Sequence, residues 1–174
     1  TTLRGDVCYS YQTNALANLC LKKNVLRKDI DDVCSVNVPI LQVQNSGAPI
    51  QLSNGRESSV GTNRVKVSFK IANVGAGAVY APGTFTTDCG GHEDTKDQIK
   101  ISLSSPENNF QAKCAQLGNT NSGIVKLINK EKEISCTIET NNLQETTFQD
   151  LLIFKVDYMY REGVVTPILI KNAA

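Results

Sequence analysis

The chain has 174 residues, 40% of them hydrophobic and 20% charged, with 18 basic and 17 acidic residues and a net charge of +1. This length suits a single domain over residues 1–174 with a sizeable core, and the composition excludes the disordered class. The even charge excludes a phosphate-seeking surface and nucleic acid as a partner, and no apolar run nears the roughly 20 residues that cross a bilayer.

The chain begins at Thr1 without an initiator Met or a charged-then-apolar leader, as expected of material processed from a longer precursor. Val7-Cys8-Tyr9-Ser10-Tyr11-Gln12-Thr13 alternates and is rich in strand formers, and Ala15 to Leu21 reads as its continuation. Residues 1–45 are expected either inside the domain or as an extension packed on it. Asn24 to Val33 spaces Val25, Leu26, Ile30 and Val33 as a short helix would, although its charges fit a loop equally. One short helix is the most the chain is expected to hold.

Asn54-Gly55 is a two-residue turn signal after Ile50-Gln51-Leu52. Arg64 to Ile71 is the clearest strand, apolar at every odd position and polar at every even one, and Ile99 to Leu103 repeats the pattern. Between them, Asn73-Val74-Gly75-Ala76-Gly77 reads as a bulge or tight turn; its glycines could cradle an anion, but no helix pattern follows as a dinucleotide site would need. Asn129 to Lys132 reads as the connection of a hairpin joining Leu127-Ile128 to the alternating strand Glu133 to Glu139. Near the C-terminus Leu152, Phe154, Val156, Tyr158 and Tyr160 face one way, while Ile153 and Met159 face the other, so this strand is expected to be central. Arg161-Glu162-Gly163 then predicts a turn, with Val164 to Ile170 returning as an antiparallel partner.

The fold expected from these elements is all-β, an immunoglobulin-like antiparallel sandwich of two sheets, with an open barrel as the alternative. Cys8, Cys20, Cys34, Cys89, Cys114 and Cys136 lack the two-residue gaps of zinc knuckles and dithiol redox sites, and three disulfides are expected. That expectation places the protein outside the reducing cytosol, secreted or at the cell surface. Local closure favours Cys20 with Cys34, a loop worth about 3 kcal/mol in the chain-entropy account. Cys114 and Cys136 flank a predicted hairpin, which leaves Cys8 to reach Cys89. Cys136 lies on the apolar side of its strand, which suits a bridge between sheets.

Chemistry is sparse. His92 is the single histidine, and no nucleophile elbow, phosphate loop or zinc-protease pattern occurs, so no enzyme is expected. A metal-dependent hydrolase using His92 with Glu93 and Asp94 is a third reading, kept only because the cluster is unusual. Asp88, Glu93, Asp94 and Asp97 form an oxygen-rich cluster of the kind calcium uses, but the cluster lacks the EF-hand alternation, and solvated loop charge with no cofactor is the expectation. Tyr9, Tyr11, Tyr158 and Tyr160 could make an exposed strip for sugars, although paired strand tyrosines more often pack. No Asn-X-Ser/Thr acceptor occurs, so N-glycosylation is not expected.

Cys8-Tyr9-Ser10-Tyr11-Gln12-Thr13, Cys20, Cys34, Gly47-Ala48-Pro49, Phe69 to Gly77 and Val156-Asp157-Tyr158-Met159-Tyr160 together carry a resemblance. The chain resembles uncharacterised secreted or membrane-anchored β-sandwich proteins of small-genome, DPANN-type archaea. Asn73 to Gly77 is also similar to the strand-turn of archaeal cell-adhesion-related immunoglobulin-like modules. The resemblance implies a secreted or cell-surface location more than a function, since that family has no assigned activity. The expected function is a structural subunit that self-assembles into a filament, sheath or layer by pairing edge or terminal strands, with Thr1 to Thr13 and Val164 to Ala174 crossing between copies. The alternative is a monomeric adhesion module that presents Asp88 to Asp97 or Gln116 to Gly123 to a protein or glycan.

Overall fold

A computed structural model describes residues 1–27, 33–90, 92–106, 109–143 and 147–169. Among them the strands are β1 (Thr2–Lys22), β2 (Val38–Leu41), β3 (Val43–Asn45), β4 (Ile50–Ser59), β5 (Arg64–Asn73), β6 (Ala78–Tyr80), β7 (Gln98–Ser104), β8 (Ala112–Cys114), β9 (Ser122–Lys126), β10 (Glu131–Glu139) and β11 (Thr147–Pro167). One sheet runs β3-β1-β11-β7-β9, with β6 also pairing β11, and the other runs β2-β4-β5-β10-β8. All pairs are antiparallel. The fold is the all-β, two-sheet, disulfide-stapled architecture that the alternating strands predict.

Period-two alternation builds the core. Val65, Val67, Phe69 and Ile71 of β5 and Ile134, Cys136 and Ile138 of β10 are buried, as are Ile99, Ile101 and Leu103 of β7 and Leu152, Phe154 and Val156 of β11. Phe69 meets Phe154 edge to face across the sheets, with ring centroids 4.6 Å apart. Each large side chain buried this way contributes about 1.5–3 kcal/mol. A ring of three hydrogen bonds also ties the sheets. Ile50 N–H donates to Tyr158 Oη (3.3 Å), Tyr158 Oη meets Thr13 Oγ1 (3.1 Å), and Thr13 Oγ1 donates to the Ile50 carbonyl (2.9 Å). Burial raises the Tyr158 pKa, which keeps the hydroxyl protonated as the donor to Thr13.

Three local expectations are overturned. The turn predicted at Arg161-Glu162-Gly163 is absent, because β11 runs straight through to Pro167 and these residues pair with Cys8, Val7 and Asp6 of β1. Glycine permits a reversal, but an available partner strand of matching length makes extension the better solution. Asn54-Gly55 likewise is no turn. It is a bulge inside β4, where the register against β5 shifts between Ser53 and Arg56 and Asn54 takes a φ of 52°. A side chain at Gly55 would bring its Cβ within 2.5 Å of the Leu41 carbonyl on β2. Gly55→Ala is therefore expected to cost about 2 kcal/mol by displacing β2, read as a lower urea midpoint with an unchanged slope.

The third is the hairpin at Asn129 to Lys132. The tight reversal exists, with Asn129 and Lys130 at φ 53° and 68° and Ile128 bridging Glu131, but it joins different sheets. β9 pairs β7, and β10 pairs β5.

The short helix considered for Asn24 to Val33 does not form over Asn24–Arg27, where Arg27 N–H donates to the Asn24 carbonyl and Leu26 N–H to the Asn24 side chain; residues 28–32 lie outside the described residues. The one helical segment among the described residues is a 3-10 turn, Ala115–Leu117. Residues 1–45 supply β1 to β3, with β1 beside β11 inside its sheet.

The disulfides are Cys8–Cys89, Cys20–Cys34 and Cys114–Cys136. Cys136 faces the core, but its bridge is not between sheets: Cys114 is its direct partner on the neighbouring strand β8. An inward cysteine can bridge either way, and here the neighbouring strand decides, since opposed residues of an antiparallel pair stand about 4.5–5.5 Å apart, within the span of a disulfide.

Candidate assembly surface

β1 and β11 are each 21 residues long and pair along their whole length, from Thr2↔Pro167 to Lys22↔Thr147. Among the described residues no other strand follows them that far. β3 pairs β1 through Ala15–Ala17, β7 reaches Asp157 of β11, and β6 reaches Arg161. Residues 2–7 and 162–167 therefore form a two-stranded ribbon with two unpaired edges, rising about 20 Å from the body at the usual rise per residue. Its continuation is an Ile168 N–H bond to the Thr1 carbonyl at 2.8 Å.

The alternation that fills the core carries on into the ribbon. The face continuous with Tyr9, Tyr11 and Thr13 presents Leu3, Gly5 and Val7 of β1 opposite Thr166, Val164 and Glu162 of β11. Leu3, Val7 and Val164 are 62%, 63% and 65% exposed, so an inner sheet face extends past the sheet that should cover it. The other face is more polar, with Arg4 and Asp6 paired at 2.8 Å. The outermost strands of the two sheets are short: β3 and β8 have three residues, β2 four and β9 five, a common protection against chance strand addition. The ribbon lacks that protection.

The root of the ribbon is held on both faces. On the inner face Tyr9 packs on Tyr160 (5.9 Å between centroids) and Tyr11 stacks on Tyr158 (5.8 Å). Tyr158 and Tyr160 are buried while Tyr9 and Tyr11 are half-buried, so the four rings pack rather than form a free strip for sugars. Tyr160 Oη accepts the Gly77 N–H at 2.7 Å, and Asn73 spans the same corner, donating to the Gly77 carbonyl (2.9 Å) and accepting from Gly75 N–H (3.1 Å). The Asn73 to Gly77 stretch is thus a crossing between sheets held against a tyrosine. On the outer face the β6–β7 connection is bound by Cys8–Cys89, while Arg161 donates to the Cys89 carbonyl at 2.8 Å and lies 5.4 Å from the Tyr80 ring centroid.

The oxygen-rich cluster does not converge. Glu93 pairs with Lys96 at 2.9 Å, Asp88 caps Gly90 N–H at 3.1 Å and stands 3.9 Å from His92, and no group of three metal-binding side chains occurs among the described residues. His92 packs its ring on Phe85, 5.6 Å away. The Gln116 to Gly123 loop is closed on itself by Thr120, whose hydroxyl bonds the Leu117 and Ser122 carbonyls, and Gln116 accepts from Ser135 N–H.

One ionisable residue of consequence has no signal in the sequence. The β4 bulge swaps the faces of the residues after it, turning Glu57 inward, where it is 2% exposed. β3 ends at its Ala17 pair, which leaves the next stretch of the β1 edge without a strand, and Glu57 from the opposite sheet accepts Cys20 N–H there at 3.0 and 3.2 Å. Burial pushes its pKa up to about 8, partly opposed by that hydrogen bond.

These features define a two-sheet β module with a projecting, partly apolar strand pair. No known protein family, curated protein or solved structure matches the chain. Among the described residues no helix is long and apolar enough to cross a membrane.

Proposed function

We propose that this chain is an extracellular structural subunit that joins copies of itself through the β1/β11 ribbon, building a filament, sheath or layer. The carrying observation is the ribbon itself, six residue pairs with two open edges and an uncovered apolar face. Open edges accept further strands through backbone hydrogen bonds, and an apolar face gives such pairing a side and a register. A contact between the ribbon and a different patch of the next copy is heterologous, and it propagates as a filament where its rotation does not close into a ring. Three disulfides support a compartment outside the reducing cytosol.

The test is the paired change Leu3→Glu with Val164→Glu, which charges the apolar face at surface positions remote from the core. Sedimentation and electron microscopy should find wild-type polymer and at least a tenfold drop in the variant, with the unfolding temperature within a few degrees of wild type. Unchanged assembly would refute the reading. A wild-type monomer at every concentration would also refute it and would favour a recognition module that presents residues 88–97 or 116–123 to a protein or glycan.

A further inference from the structure

Resting on that assembly reading, we propose that the Cys8–Cys89 disulfide is an oxidation-dependent clasp that holds the ribbon in its docking posture, so that copies join only after the chain has met an oxidant. Cys8 is the root residue: it sits opposite Arg161, the last β11 residue paired to β6, and beyond this level β1 and β11 have only each other among the described strands. The clasp ties this root to the segment between β6 and β7, which is itself anchored. Phe85 packs on Tyr80 (4.7 Å), Ala81 N–H donates to the Thr95 carbonyl, and Tyr80 bridges Lys96. Arg161 adds the bond to the Cys89 carbonyl, so the polar face of the root is fixed only while Cys89 stays in place. A two-stranded ribbon without a third strand is marginal in water, and the posture of this one depends on what grips its base.

The three disulfides differ in access. Cys114 and Cys136 are 0% and 1% exposed, and Cys20 is 4% exposed beside a half-buried Cys34, so Cys8–Cys89 is the one bridge whose two cysteines are both half-buried at the surface. Exchange needs a thiolate to reach a sulfur, so the clasp is the first bridge to open and the last to be sealed. Closure is a two-electron exchange with an external disulfide of the glutathione type. One protein thiolate attacks it and expels a thiol, and the second thiolate displaces the other half from the mixed disulfide. The protein dithiol is oxidised to the bridge, and the external disulfide is reduced to two thiols, which carry off the two protons.

The experiment holds full-length protein in graded reduced and oxidised glutathione and reads three quantities: which cysteines take a thiol label, amide exchange of residues 4–7 and 162–165 in dilute monomer, and assembly on concentration. The expected result is that Cys8 and Cys89 label first, that the ribbon amides then exchange at least tenfold faster while the β5 amides do not change, and that assembly falls at least tenfold and returns on reoxidation. Cys8→Ser with Cys89→Ser should reproduce the reduced state; if that variant fails to fold, wild type opened by mild reduction and capped with iodoacetamide supplies the same state. The clasp is overturned if another pair labels first, if ribbon exchange stays within twofold of wild type, or if the opened protein assembles normally. Wild type that never assembles sinks the assembly reading and with it the gating of assembly, while amide exchange still decides whether the bridge holds the ribbon.

Discussion

Glu57→Gln is expected to remove most of the fall in stability that the wild-type protein shows between about pH 4.5 and pH 8. The folded carboxyl titrates near 8, against an ordinary value of 4.5. Below 4.5 both folded and unfolded chains hold the proton, and Glu57 contributes no pH dependence. Above it the unfolded chain releases its proton while the folded one keeps it, so unfolding is favoured by about 1.4 kcal/mol per pH unit until the folded group ionises near pH 8. The whole window amounts to about 4–5 kcal/mol as an upper bound, since relaxation and water entry soften the burial of a charge. Glutamine keeps an oxygen for Cys20 N–H and has no charge to bury. Urea unfolding at pH 5 should therefore separate the two proteins by less than about 1 kcal/mol, and at pH 8 the variant should be the more stable by about 3 kcal/mol or more. Parallel stability curves for the two proteins from pH 5 to pH 8 would show that Glu57 is not the buried acid described here.

Gly77→Ala is expected to cost about 3 kcal/mol, because the corner has no room for a methyl group. A Cβ there would fall within contact distance of the Arg161 carbonyl and the Tyr160 ring, and the Gly77 N–H that Tyr160 Oη accepts would be pushed off its bond. Two further variants separate the causes. Tyr160→Phe keeps the ring and orphans the N–H, for about 1–2 kcal/mol. Tyr160→Leu combined with Gly77→Ala vacates most of the clash and should cost less than the sum of the single changes. Thermal unfolding of wild type, Gly77→Ala, Tyr160→Leu and the double variant completes the cycle; simple additivity would mean that ring and glycine do not touch. Because Tyr160 packs on Tyr9 at the ribbon root, Gly77→Ala should also raise amide exchange in residues 4–7.

The strands were legible wherever one face is wet and the other buried. Arg64–Ile71, Ile99–Leu103 and Glu133–Glu139 alternate without exception, and each lies within an observed strand. Turn signals were less informative. Arg161-Glu162-Gly163 and Asn54-Gly55 have the residues of a reversal, yet both lie inside strands, because a glycine allows a bend and only a competing partner decides whether one occurs. At Asn129-Lys130 the reversal itself was legible and its destination was not, since nothing local says that β9 and β10 belong to different sheets. Cys136 was legible as inward-facing, but the choice between a bridge within a sheet and one between sheets rests on which strand lies beside it. Glu57 left no trace, because its burial follows from the bulge two residues earlier.

The candidate surface divides in the same way. Leu3, Val7, Tyr9, Tyr11 and Thr13 already mark one face of β1 in the sequence, and Tyr158 and Tyr160 mark the matching face of β11, because a strand's alternation is set by neighbouring residues. What the sequence determined by itself is therefore local: extended chain, the identity of the apolar face, and cysteines without metal spacing. Tertiary structure alone decided that two terminal strands 145 residues apart, as at Gln12 and Asp157, pair over 21 positions and outrun the sheet that covers them. That outcome depends on strand lengths and sheet membership, properties of the whole chain that no short window of residues contains.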